Sequence, residues 1–224
     1  MKINPKTKAE KMITEATPKK ETANERPVLI QAVNLRRATV YIRGTSPLIQ
    51  HSWSEKSKEM LRMTAAERRK VPKTGRNPEA EFLAATCWCE GGGYGIPAMA
   101  VKSAMIEVAH KDAGLPKTTV RKALRFRVSG IIPMECSEPT MREDIVRIGN
   151  NQTDIRYRPE FAEWGAEISF DYDADLLTIR DVVNLTNRAG FSVGIGEWRP
   201  EKNGEYGTFE VDTDRATLDE PATK

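Results

Sequence analysis

Trp198, Arg199 and Lys202 stand in a stretch punctuated by Gly194, Gly196, Gly204 and Gly207. The glycines permit positive φ or close backbone approach, and the indole places a stacking face beside a guanidinium. That combination suits the sugar-phosphate backbone and unpaired bases of a nucleic acid. The same residues would also serve a plain hairpin, with glycines at the turns and Trp198 capping a core. Other basic positions tilt the reading toward a polyanion. Lys102 and Ser103 lie near the start of an expected helix, where free N–H groups favour phosphate. Arg125 and Arg127 alternate along an expected strand, Arg147, Arg156 and Arg158 decorate an expected hairpin, and Arg43 closes the first strand.

Other chemistries find little support. There is no P-loop, no dinucleotide fingerprint after a strand and no G-x-S-x-G elbow. Cys87 and Cys89 are one residue apart, Cys136 is isolated, and His51 and His110 are the two imidazoles, so zinc-site spacing is absent and no metal or other cofactor is expected. Glu143 and Asp144 are neighbours in a strand, point to opposite faces, and read as turn residues rather than a metal site. A metal-independent ribonuclease needs a positioned base and acid. His51 is the one weak candidate, because it follows the first strand, whereas His110 ends a helix and reads as structural.

The elements that must position these groups can be read from pattern. Residues 1–27 mix Lys, Glu and Thr with few large apolar side chains, and 212–224 are similar, so both are expected as disordered tails around one domain, 28–211. Val28–Val33 and Ala38–Arg43 read as β, ended by Gly44-Thr-Ser-Pro-Leu48. Residues 51–95 are too long for a simple connection and read as an insertion, with one helix from Ser54 to Arg69, a second from Asn77-Pro78 to Cys87, and a basic run Arg68–Arg76 between them. Pro97 is placed at the first position of a helix reaching His110, whose stripe is Val101, Ala104, Met105 and Val108. Val120–Val128 reads as a strand. Asp144–Ile148 and Thr153–Arg158, joined through Gly149-Asn-Asn, form a hairpin finger over 142–160. Ala166–Tyr172 alternates as a strand. The next helix has capping-box spacing at Thr178 and Asp181, a face of Ile179, Val182, Val183, Thr186 and Ala189, and Gly190 where a left-handed C-terminal residue belongs. A glycine-rich loop and a closing strand to Val211 follow. Stripped of insertion and finger, the order is βαββαβ, an α+β ferredoxin-like or RRM-like sandwich with a helical insertion and a β-hairpin finger.

Three motifs in that order resemble the RAMP superfamily (repeat-associated mysterious proteins), in particular the backbone subunits of CRISPR effector complexes. Arg43-Gly-Thr-Ser-Pro-Leu48 is similar to the family's first strand and its end. Ile96-Pro-Ala-Met-Ala-Val-Lys-Ser103 is similar to the Ile-Pro-Gly-Ser-Ser-Leu-Lys-Gly signature, with Lys102 on the lysine. Gly194-Ile-Gly through Gly204-Glu-Tyr-Gly-Thr-Phe209 resembles the C-terminal glycine-rich loop and last strand. Ala98, Met99 and Ala100 depart from the small Gly-Ser-Ser group, as in a distant viral or mobile-element relative.

The resemblance implies RNA binding and head-to-tail assembly of copies, a contact type that makes open filaments. The expectation is a non-catalytic binder of single-stranded nucleic acid, RNA before DNA, contacted by Arg43, Lys102, Arg125, Arg127, Arg147, Arg156, Arg158, Trp198, Arg199 and Lys202. Such contacts position a strand without reading its sequence and are sensitive to salt. The formal net charge of +3 over 224 residues is too small to carry the argument, so the distribution of arginines must. One continuous groove favours nucleic acid, and scattered pairs with Asp and Glu favour a protein-interaction, structural or inhibitor role. A third alternative, the endoribonuclease, requires His51 to approach the glycine-rich loop. No apolar run approaches bilayer length, the N-terminus is not a signal sequence, and a cytoplasmic chain without membrane partners is expected.

Overall fold

The computed structural model describes residues 31–72, 75–148, 152–215 and 218–221. The chain divides by its contacts into Met1–Ala32, nearly all outside the described residues, and Val33–Lys224, which holds every element below. In chain order these are β1 (Leu35–Gly44), β2 (Leu48–Ile49), α1 (Glu55–Arg62), α2 (Ala65–Lys70), α3 (Pro78–Ala85), β3 (Gly95–Pro97), α4 (Ala98–Lys111), α5 (Lys117–Ala123), β4 (Leu124–Phe126), β5 (Ile131–Pro133), β6 (Glu135–Cys136), β7 (Thr140–Ile148), β8 (Gln152–Phe161), β9 (Trp164–Asp173), α6 (Ile179–Ser192), a 3-10 turn (Pro200–Lys202), β10 (Phe209–Val211) and β11 (Leu218–Pro221).

The main sheet runs β10-β1-β9-β4, all antiparallel, with β11 added to β1 and β6 added to β9. With α4 between β1 and β4 and α6 between β9 and β10, this is the order of a ferredoxin-like sandwich. Alternation along the strands produces it. Ala38, Val40 and Ile42 of β1 and Ala166, Ile168, Phe170 and Tyr172 of β9 are buried in one core with α4 and α6, while Arg37, Thr39, Arg43 and Asp171 take the opposite, open face. The apolar stripe Val101, Ala104, Met105 and Val108 of α4 is fully buried, as its spacing predicts. Each large side chain so buried contributes on the order of 1.5–3 kcal/mol.

The finger is the hairpin β7–β8, and its base joins β2 in a separate three-stranded sheet, β2-β8-β7. Helix α3 packs on β8. Arg76, from the basic run of the insertion, ion-pairs with Asp154 and donates to the Ile155 carbonyl at 2.9 Å, so this arginine holds the finger. Its turn, 149–151, and residues 73–74 lie outside the described residues.

Several boundaries differ from the pattern, each for a local reason. The polar helix expected from Ser54 to Arg69 is two helices, because Thr64 caps α2 in a full capping box with Glu67 and breaks the run at Met63. Val120–Ala123 is helical rather than β, which leaves only Leu124–Phe126 as strand. Pro97 is the N-cap of α4 and the last residue of β3. Helix α6 runs through Gly190 to Ser192, and its capping box at Thr178 and Asp181 is complete. A side chain at Gly190 would strike the Phe209 carbonyl, so its glycine serves close packing against β10. Of the expected strand Val28–Val33, residues 28–30 lie outside the described residues and Gln31–Val33 are not strand. Residues 1–27 are likewise outside. Leu218–Pro221, within the expected C-terminal tail, pair with Arg36–Thr39 of β1.

Candidate nucleic-acid interface

The glycine-rich loop is stapled to its surroundings by backbone bonds before any side chain acts. Glu197 N–H donates to the Ile49 carbonyl at 2.9 Å, Gly207 N–H to Pro47 at 2.8 Å, and Ile195 N–H to Gly207 at 2.9 Å. Gly196 has φ +78° and lies against the Ile49 backbone, where a β-carbon has no room. Beyond it Trp198 adopts φ +52°, a left-handed conformation costly for a bulky residue. Its carbonyl accepts from Tyr206 N–H at 3.0 Å, and the tight return at Gly204 again excludes a β-carbon.

What fixes the ring of Trp198 is a carboxylate on the finger. Asp144, 6% exposed, accepts from Arg142 Nε at 2.8 Å, Arg158 Nη1 at 3.0 Å and Trp198 Nε1 at 3.2 Å. Burial pushes its pKa up, and the three hydrogen bonds with the Arg142 charge outweigh burial, so the net shift is downward. Arg142 also reaches Glu160 at 2.8 Å and the Tyr206 hydroxyl at 3.0 Å, and its guanidinium lies 4.9 Å from the Tyr206 ring centroid. Glu160 above all holds the Arg142 pKa above its ordinary value. Arg158 is 5% exposed and pairs with Glu197 at 3.4 Å through Nη2, while its Nε has no partner among the described residues. The loop and the finger are thus one polar junction, in which Trp198 as a residue remains 41% exposed.

On the other side of the loop a cleft of about 290 Å³ separates it from α4, lined by Ser103, Glu107, Gly194, Gly196, Arg199 and Glu201 among others. Arg199 is occupied there, donating to Glu201 at 2.7 and 3.1 Å and to the Gly196 carbonyl at 2.8 Å. Hydrogen bonds from Lys111 and Lys117 hold Glu107 ionised, with its pKa lowered to about 2. The charged groups at the cleft wall are therefore already paired with one another where the sequence pointed to a phosphate site. Lys102 is half-buried on α4 and is not part of the cleft lining, and Lys202 is exposed on the 3-10 turn.

The remaining expected contacts fall on other surfaces. Arg43 is paired with Glu210 at 2.8 Å on the open face of the main sheet, and Arg127 and Arg37 share Asp171 at 3.1 and 2.9 Å; Arg125 is exposed on that face. The aromatic there, Tyr41, offers no open stacking surface, because Arg215 lies 3.6 Å from its ring centroid and is held by Glu135 at 2.7 Å. On the finger, Arg156 and Arg158 share the face of Asp144, but register puts Arg147 on the opposite face with Thr153. Arg156 pairs with Asp154 at 3.0 Å. His51 is an exposed residue whose pKa is lowered first by partial desolvation and then by the Arg158 charge, with Glu197 of the loop opposing.

Asp144, Arg142, Glu197 and Tyr206 are the members of this junction that sequence reasoning missed. A signal existed, since a hairpin centred on 149–151 sets Arg142 directly opposite Arg158. Two facing guanidiniums require an acid between them, and Asp144 is on their face. Among the described residues no group of three or more His, Cys, Asp or Glu side chains is arranged to hold a metal, and no helix is long and apolar enough to cross a membrane. The three cysteines are free.

No protein-family model matches the sequence, and no curated protein matches it. The chain is similar in fold to solved structures. One is the Type III-B Cmr-beta bound to cognate target RNA, solved by cryo-electron microscopy: TM-score 0.48, 10% identity, over 85% of this chain and 62% of that one. Another is the crystal structure of Cmr6 from Pyrococcus furiosus: TM-score 0.41, 11% identity, over 81% of this chain and 100% of that one. The chain therefore spans less than two thirds of the first of these.

Proposed function

We propose that this chain is a non-catalytic subunit of an oligomeric or filamentous nucleoprotein complex, which holds single-stranded RNA across the junction of the finger and the glycine-rich loop. One observation carries the reading: Trp198 is strained at φ +52°, tied by its indole N–H to buried Asp144, and still an exposed residue. Strain of this kind costs on the order of 1–3 kcal/mol and persists where the surroundings enforce it, commonly at functional sites. A base stacked on the ring, with Arg156, Lys102 and Lys202 near its phosphates, is the arrangement this supports. The choice of RNA over DNA rests on the motif resemblance.

The pairing of most arginines with acids sets the expected strength. Exposed ion pairs contribute little and can exchange for phosphate, yet their acids cancel much of the attraction. About three phosphates neutralised on a single strand give a slope of log K against log salt near −2, shallower than a continuous basic groove would give. The test is titration of labelled single-stranded RNA, single-stranded DNA and duplex DNA with the full chain, with Trp198→Ala and Arg156→Ala alongside. Failure to bind any of the three at low salt would defeat the proposal.

A second reading, a protein-interaction subunit on the same fold, is favoured by that same scattering of arginines among acids and by the exposed apolar side chains Trp53, Ile145 and Phe191. It predicts tight association with an acidic or apolar protein surface and no measurable affinity for a single strand.

A further inference from the structure

Asp144 is the point at which the finger meets the loop. Three donors from three separate segments converge on one buried carboxylate: Arg142 from β7, Arg158 from β8 and Trp198 from the loop. The two guanidiniums have other acceptors, Glu160 and Glu197, but the indole N–H has Asp144 alone among the described residues. A left-handed Trp198 backbone and a single hydrogen bond at the ring edge together fix the orientation of the indole.

We propose that Asp144 is a positioning residue for single-strand binding. It holds the Trp198 ring in the orientation that receives a base and, through Arg142 and Arg158, makes that orientation depend on the finger's register. The inference rests on the reading of Trp198 as a stacking surface. An asparagine at this site keeps the shape and one acceptor but loses the charge that three donors share, and the ring becomes free to turn. The loss is expected to act through Trp198, which separates it from general damage to the fold.

A double-mutant cycle on the full chain reads this directly. Affinity for fluorescein-labelled oligouridylate is measured for wild type, Asp144→Asn, Trp198→Ala and the double variant. Asp144→Asn is expected to weaken binding about tenfold, or ~1.4 kcal/mol, leave the salt slope unchanged, and add nothing in the Trp198→Ala background. Trp198→Phe, which removes the N–H donor and leaves Asp144 with its two arginines, keeps the question answerable if Asp144→Asn does not fold. It is expected to weaken binding while unfolding near wild type. In the NMR spectrum the Trp198 indole N–H, identified by its loss in Trp198→Phe, should lose protection from hydrogen exchange in Asp144→Asn. Equal weakening by Asp144→Asn with and without Trp198, or none at all while Trp198→Ala is impaired, would overturn this inference alone. Wild-type affinity in Trp198→Ala would overturn the stacking reading and this inference with it.

Discussion

Gly204→Ala should open the loop without unfolding the protein. A β-carbon built on Gly204 falls against the carbonyl of Trp198, with Trp198 Cα 2.7 Å away. These are backbone atoms, so no side-chain rotation relieves the clash and the return from Trp198 to Gly204 must widen. Widening breaks two hydrogen bonds, Gly204 N–H to Arg199 at 3.1 Å and Tyr206 N–H to Trp198 at 3.0 Å. At about 0.5–1.5 kcal/mol each, with a steric cost of about 1–3 kcal/mol for the added methyl, the total is about 2–6 kcal/mol. A domain of this size has about 5–15 kcal/mol, so most molecules remain folded. The melting temperature should fall by roughly 2–4 °C per kcal/mol where the loop unfolds with the rest. Acrylamide quenching should report a more exposed Trp198. The control is Gly130→Ala, where nothing lies within 4 Å and φ is not positive. If Gly204→Ala matches Gly130→Ala in melting, quenching and RNA affinity, the loop is not held as described.

Asp144→Asn should destabilise the fold by about 3 kcal/mol, because it leaves buried Arg158 with only Glu197 as a charged partner; thermal unfolding measures it. The Asp144 pKa is depressed in the folded state, so its contribution is fully present above the unfolded value near 3.9 and is lost as pH falls through the lower folded value. Acid denaturation midpoints of wild type and Asp144→Asn should therefore converge at low pH. Arg125→Ala, on the open sheet face, should change RNA affinity less than twofold, against a larger loss for Arg156→Ala. His51→Ala should leave RNA integrity as wild type does, with no cleavage by either over long incubation on a denaturing gel.

The sandwich was legible because its signals are local and strong. Thr178 with Asp181 announced α6, the stripe from Val101 to Val108 announced α4, and strict alternation from Ala166 to Tyr172 gave β9. What was not legible depends on pairs distant in sequence. Glu210 and Asp171 neutralise Arg43 and Arg127 across the sheet, and Arg215 covers Tyr41 from the far end of the chain. A strand pattern shows that an arginine faces outward, not which acid meets it there. Arg158 appeared as one more surface arginine because hairpin spacing carries no information about the loop that buries it. Asp144 was read as a turn residue although hairpin register sets it beside the facing Arg142 and Arg158; only its third partner, Trp198, 54 positions away, lay beyond that register.

The most direct test of the central claim is the affinity of the full chain for labelled single-stranded RNA across a salt series, with Trp198→Ala beside it. The account predicts saturable binding that weakens roughly fifteenfold from about 50 to about 200 mM salt, as a slope near −2 requires. It also predicts a further loss of about 5- to 150-fold in Trp198→Ala at every salt concentration, the range expected for one stacked base. Binding that Trp198→Ala leaves unchanged, or no binding at the lowest salt, would contradict it and leave the protein-interaction reading as the better description.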